Sequence, residues 1–231
     1  MKKISVFMVK WGTKYGSEHV NLLVETIRAN TTYDCTFYCL TEDPTGIREE
    51  VIVLPLPAGN PLVKWWNKMY LWDLSVVGVR GEKVFFDLDL VVQNSLDPIM
   101  DFDPEDCLCV LRTYWHDLQK MREETRHVPH RYTELNSSVI RWNDSLPCAA
   151  IRDYFQAHRK PIQWYYRGID NFFGHRNICR IKFFPIGWAY SFNYGYIWPH
   201  DVEKHVYREL PLVCLFDSMR HKTDVKFQLS E

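Results

Sequence analysis

The sequence predicts a single α/β domain, and three observations predict it. Short apolar runs of strand length alternate with segments of helical period through the first ninety residues, 46% of the 231 residues are hydrophobic, and no repeat or long linker divides the chain. A chain of this size can bury one large core, and its composition excludes a disordered or low-complexity protein. Lys and Arg number 28 against 29 Asp and Glu, a formal net charge of -1. No global field therefore draws polyanions, and nucleic acid is not an expected partner. The aromatic share is high, 15% with 9 Trp and 13 Tyr, residues that combine a flat apolar face with a hydrogen-bonding tip.

Taken in order, Ile4–Val9 is a continuous apolar run ended by Lys10 and reads as a first buried strand. It is too short, and lacks the small-residue cleavage site, for a signal peptide, and no later run approaches the roughly 18 apolar residues of a transmembrane helix. The expectation is a cytoplasmic protein. Val20, Leu23, Val24 and Ile27 recur at helical spacing, with Ser17 as N-cap. Thr36–Leu40 and Val51–Leu54 read as strands, the second closed by a Pro- and Gly-rich stretch over residues 55–61. Lys64–Leu74 reads as a helix with Trp65, Met69 and Trp72 on one side, and Lys83–Phe86 as a return to strand. Beyond it, Cys107–Leu111, Ser137–Trp142 and Leu212–Phe216 are expected strands and Leu146–His158 a helix; the polar stretch from His116 to Arg131 is an exposed helix or a loop, and aromatics crowd Trp164 to Trp198. The seven cysteines, Cys35, Cys39, Cys107, Cys109, Cys148, Cys179 and Cys214, are expected to be reduced, and their spacing lacks the two close pairs of a zinc site.

The most informative segment is Val84-Phe85-Phe86-Asp87-Leu88-Asp89-Leu90-Val91-Val92, in which two carboxylates interrupt an apolar run. On a strand, residues i and i+2 share a side, so Asp87 and Asp89 converge. Two desolvated carboxylates repel unless a cation, a donor or a proton offsets their charge, and a divalent metal is the simplest solution; oxygen ligands favour Mg2+ or Mn2+. The alternative is a pair of aspartates that cap a turn or sit in solvent at a strand end.

In this context the chain resembles nucleotide-sugar glycosyltransferases of the GT-A fold, most closely the family-eight-like group that includes glycogenin and bacterial galactosyltransferases. The resemblance rests on Val6–Tyr15, on Lys68 within Trp65-Trp66-Asn67-Lys68-Met69, and on Phe86-Asp87-Leu88-Asp89-Leu90-Val91-Val92. It extends to Leu135-Asn136-Ser137-Ser138-Val139, where Ser138 replaces a glycine of the group, and to Gly168-Ile169-Asp170-Asn171-Phe172. A degraded form of the group's C-terminal motif remains in Asp217-Ser218-Met219-Arg220-His221-Lys222.

The resemblance implies a Rossmann-like three-layer α/β/α domain with a mixed central sheet over 1–231, whose 1–95 half binds the nucleotide and whose 96–231 half binds the acceptor. It implies a metal-dependent hexosyltransferase that moves a sugar from a nucleoside diphosphate, UDP for preference, to a hydroxyl of a carbohydrate or glycoconjugate. Mn2+ or Mg2+ would be held by Asp87, Asp89 and either Asp217 or His221. Lys10, Trp11, Tyr15, Lys68, Asp87, Asn136, Ser137 and Lys222 would contact the donor, with Trp11 and Tyr15 either stacking on the base or packing their loop. Asp170 and Asn171 would sit at the reacting centre, although Asp170 also fits an N-cap. Two rivals stand beside this reading, a haloacid-dehalogenase-like phosphatase, which shares the Asp-x-Asp run, and an inactive sugar-binding homologue.

Overall fold

The computed structural model describes residues 2–73, 76, 78–191 and 212–216. β1 (Lys3–Lys10) is buried from Ile4 onward, because it lies inside a sheet covered on both faces. α1 (Ser17–Ala29) buries Val20, Leu23, Val24 and Ile27, the four positions that the helical period selects. Gly16, rather than Ser17, is its N-cap. The Gly16 carbonyl accepts from the His19 amide at 3.3 Å and the Gly16 amide donates to His19 Nδ1 at 3.2 Å, so a histidine ring does what a capping side chain usually does.

β2 (Asp34–Thr41), β3 (Ile52–Pro55), β4 (Lys83–Phe86), β6 (Cys107–Arg112), β7 (Leu135–Trp142) and β8 (Arg180–Phe183) join β1 in a sheet ordered β3-β2-β1-β4-β7-β6-β8. The β1, β2, β3 and β4 neighbours run parallel, β7 is antiparallel to both β4 and β6, and β8 is parallel to β6. The sheet is therefore mixed, as expected. A second sheet is ordered β5-β10-β9, from β5 (Leu90–Val92), β9 (Ala189–Ser191) and β10 (Val213–Leu215). Alternate residues of the central strands face two cores. Ile4, Val6, Met8, Val84 and Phe86 pack toward α1, while Phe7, Val9 and Phe85 pack toward the helices of the opposite face.

Those helices are α4 (Cys148–Tyr165), α5 (Ile169–His175) and a 3-10 helix, Lys64–Trp72. The remaining pieces, α2 (Asp97–Asp101), α3 (Leu118–Thr125) and a turn of 3-10 helix at Pro129–Arg131, are short. α3 buries no residue, so the charged stretch is an exposed helix. α4 outruns the expected end at His158, passing through a non-helical His158 and Pro161.

The 3-10 helix corrects the sequence reading at one important place. Its three-residue period aligns i with i+3, so Trp66, Met69 and Trp72 form one buried row, beside the also buried Asn67 and Leu71, whereas Trp65, at the start of the row of Lys68 and Leu71, is 42% exposed. Of the late aromatics, Tyr166, Phe172, Phe173 and Phe184 are buried while Trp164 is 86% exposed; residues 192–198 lie outside the described part. None of the seven cysteines is in a disulfide. Among the described residues the one group of three metal-ligating side chains close together is Glu105, Asp106 and Cys107, not a paired-cysteine site. No helix among them is long and apolar enough to cross a membrane.

Candidate functional site

Asp87 and Asp89 occupy a turn, not the middle of a strand. β4 ends at Phe86 and β5 begins at Leu90, in the other sheet, and the residue between the aspartates, Leu88, is buried in the α1-side core. Asp87 continues the row of Phe85, toward the 3-10 helix; its amide donates to the Ser138 carbonyl at 2.9 Å, extending the β4–β7 ladder past Phe86↔Val139. Asp89 is fixed by its carbonyl, which accepts from the Phe216 amide at 3.1 Å beside β10. The turn leaves the carboxyl end of β4 next to β1, where the parallel strands β1-β2-β3 run off to one side. Ligands of open α/β sheets collect at such a switch point.

A cleft of about 440 Å³ opens there, lined by both aspartates and by Trp11, Lys14, Tyr15, Trp65, Lys68, Asn136, Ser137, Asp170 and Asn171. Lys68 Nζ donates to Asp87 Oδ2 at 2.7 Å, to the Ser137 carbonyl at 3.1 Å and to Ser137 Oγ at 3.2 Å. At the Asp89 end, the Tyr15 hydroxyl donates to Asp89 Oδ2 at 2.9 Å and Lys14 Nζ stands 3.9 Å from the same oxygen. Asn136 Oδ1 accepts from the Ser138 amide at 2.9 Å, a turn that shapes the start of β7.

Asp170 is the second residue of α5, whose N-cap is Gly168, so the N-cap alternative falls away. Its Oδ1 is buried without a hydrogen-bond partner. Asn171 is buried, and its Nδ2 donates to the Arg131 carbonyl at 2.8 Å. Lys10 departs from expectation. Its side chain is buried away from the cleft, with Nζ donating to the Asp43 carbonyl at 3.1 Å and 3.7 Å from Asp43 Oδ2; at the end of a strand sandwiched in the sheet, a buried ammonium takes the nearest acid. Asp217, His221 and Lys222 lie outside the described residues.

The charges are strongly coupled. Burial pushes the Asp87 carboxyl up, against the pull of Lys68 and with help from the charge of Asp89, to about 6. Burial likewise raises Asp170, opposed by Lys68 and by Ser137. For Lys68, burial favours the neutral amine, yet Asp87 and Asp170 outweigh it and hold its pKa above the usual lysine value. Burial, then Asp89, raises the Tyr15 phenol. Three carboxylates thus share one buried ammonium, and a further cation at Asp87 and Asp89 would relieve the excess negative charge. Two oxygen donors with a buried, repelled carboxylate fit a hard divalent ion.

Three cleft residues escape the sequence reading. Lys14 sits between the two aromatics chosen there, and Ser138 carries the carbonyl that fixes Asp87. Trp65 reads as core in the sequence, because an α-helical count puts it in one row with Met69 and Trp72.

No family model and no curated protein sequence matches the chain. The fold, however, is shared with solved glycosyltransferases. The galactosyltransferase LgtC in complex with donor and acceptor sugar analogs superposes with a TM-score of 0.61 at 15% identity, over 93% of this chain and 87% of that one. The glycosyltransferase GlyE of Streptococcus pneumoniae TIGR4 gives 0.61 at 14% identity, over 93% of this chain and 55% of that one. The bifunctional glycosyltransferase WbbM gives 0.63 at 11% identity, over 94% and 46%. The mixed α/β arrangement is that of GT-A glycosyltransferases.

Proposed function

We propose that the protein is a glycosyltransferase that moves a sugar from a nucleoside diphosphate, UDP for preference, to a hydroxyl of a carbohydrate acceptor. The observation that carries this reading is the cleft itself. At the carboxyl edge of β4 it brings a carboxylate pair, a buried lysine and a third, unpartnered carboxylate oxygen to one place, in a fold that it shares with sugar-transferring enzymes.

Departure of a nucleoside diphosphate builds negative charge on the phosphate oxygens as the glycosidic bond breaks. Asp87 and Asp89 would hold Mn2+ or Mg2+, which when bound stabilises that charge as a Lewis acid. Lys68 adds a fixed ammonium, already positioned by Asp87 and Ser137, for the same charge. Trp11 and Tyr15 offer aromatic faces to the base, with Tyr15 anchored through its hydroxyl to Asp89. Asn136 and Ser137 line the wall beside Lys68 and offer polar groups to the donor sugar. Asp170, which lines the cleft, would accept a sugar hydroxyl, an interaction that compensates its desolvation. The Asn171 amide, tied to the Arg131 carbonyl, holds the start of α5 against the 3-10 turn at Pro129–Arg131 and so positions Asp170.

Calorimetric titration of UDP with and without Mn2+ tests the reading. Wild type should bind UDP more tightly with the metal, and Asp89→Asn should lose that increment. Equal metal-dependent affinity in the variant overturns the role of Asp89, and no affinity of wild type for any nucleoside diphosphate overturns the function.

A further inference from the structure

Trp65 is exposed by construction. Three independent features hold this large apolar side chain at the mouth of the cleft. Lys64, immediately before it, has a φ of 53°, a left-handed conformation that non-glycine residues rarely adopt. The indole Nε1 donates to the Arg167 carbonyl at 3.1 Å. Gly168 has no side chain where one would collide, since a Cβ there would lie 2.7 Å from Trp65 Nε1. The φ of Gly168, -170°, is ordinary extended backbone, so it is the space above Gly168, not its backbone freedom, that the indole uses.

The placement of these contacts indicates what the ring is for. Arg167 and Gly168 lead into α5, the helix that carries Asp170 two residues later, while Tyr15 and Lys14 engage Asp89 at the other end of the cleft. Trp65 is 42% exposed, carries the Lys64 ammonium 5.4 Å from its ring centroid and lines the same cleft as Asp170; an accessible aromatic ring and an acid in one cleft are the combination that recognises a sugar ring. The apolar C–H face of the ring lies on the indole and its hydroxyls reach the acid. We propose that Trp65 is the platform on which the acceptor saccharide stacks, a specificity-determining residue for a pyranose acceptor; the assignment to the acceptor rests on the glycosyltransferase reading, whereas the stacking itself does not.

The experiment uses the full chain saturated with Mn2+ and UDP, titrated by ligand-observed NMR with the methyl glycosides of the common hexoses and N-acetylhexosamines. Wild type should bind at least one of them. Trp65→Ala should weaken that binding by about tenfold or more and leave the Mn2+-dependent UDP affinity within about twofold. Trp65→Phe should recover much of the saccharide affinity, and Gly168→Ala, which displaces the indole without changing it, should weaken it. Saccharide binding that is absent in wild type, or equal in wild type and Trp65→Ala, overturns the proposal, as does an equal loss of UDP affinity in Trp65→Ala. If no nucleoside diphosphate binds but a saccharide binds through Trp65, the platform stands and the transferase reading falls.

Discussion

Asp170 shows how the site sets binding against stability. In the folded chain burial holds its carboxyl above the usual carboxylate range, so the folded state binds this proton more tightly than the unfolded chain does. Its stabilising contribution is therefore present in acid, below the ordinary carboxylate pKa, and is lost as the pH rises through the folded value. Above the ordinary carboxylate range its burial works against folding, a cost that Lys68 and Ser137 offset in part. Asp170→Asn removes the charge, and Lys68 keeps its bond to Asp87 at 2.7 Å. The variant should be about 1 kcal/mol more stable at pH 7, roughly 2–4 °C in Tm, with the advantage gone near pH 4. Thermal melts of both proteins across that range check this, and a variant less stable than wild type at pH 7 refutes it. Sugar transfer by the variant should be lost.

The 3-10 helix decides which of its aromatics are buried and which is exposed at the cleft. Trp66 is 5% exposed and stacks on Phe155 with ring centroids 5.7 Å apart. Trp66→Ala should cost about 3–5 kcal/mol, whereas Trp65→Ala should stay within about 1 kcal/mol of wild type, both read from urea unfolding. An α-helical register with Trp65 inward would reverse the two. Elements with strong periodicity were legible in the sequence: α1 from its four buried positions, and β1 and β4 from uninterrupted apolar runs. Asp87 and Asp89 were legible because charge inside an apolar context is costly and draws notice, Lys68 only through the resemblance. The 3-10 helix was not, since three- and four-residue periods both fit so short a segment. Nor were the three-residue strands β5 and β9, too short to carry a period, or the buried fate of Lys10, which depends on Asp43 arriving from the end of β2.

At the scale of the molecule, the second sheet serves the first. β10 pairs with β5 directly after the aspartate turn, and the Phe216 amide bonds the Asp89 carbonyl. Leu215→Ala, at a 3% exposed position paired with Leu90, should lower stability by about 2–4 kcal/mol and loosen Asp89, so that Mn2+-dependent UDP affinity falls although the residue touches no ligand. Calorimetry well below the variant's melting temperature separates the two effects, and full UDP affinity there would show that β10 does not position the turn.

The hydrogen bonds that close the cleft span 69 residues from Lys68 to Ser137, 74 from Tyr15 to Asp89 and 102 from Trp65 to Arg167. Each of these loops must close, at an entropic cost, before its bond can form. β7 in particular has to enter between β4 and β6 before the Ser137 groups can meet Lys68. The complete cleft therefore needs all of these closures together, and no fragment shorter than the span from Val9 to Asn171 carries it.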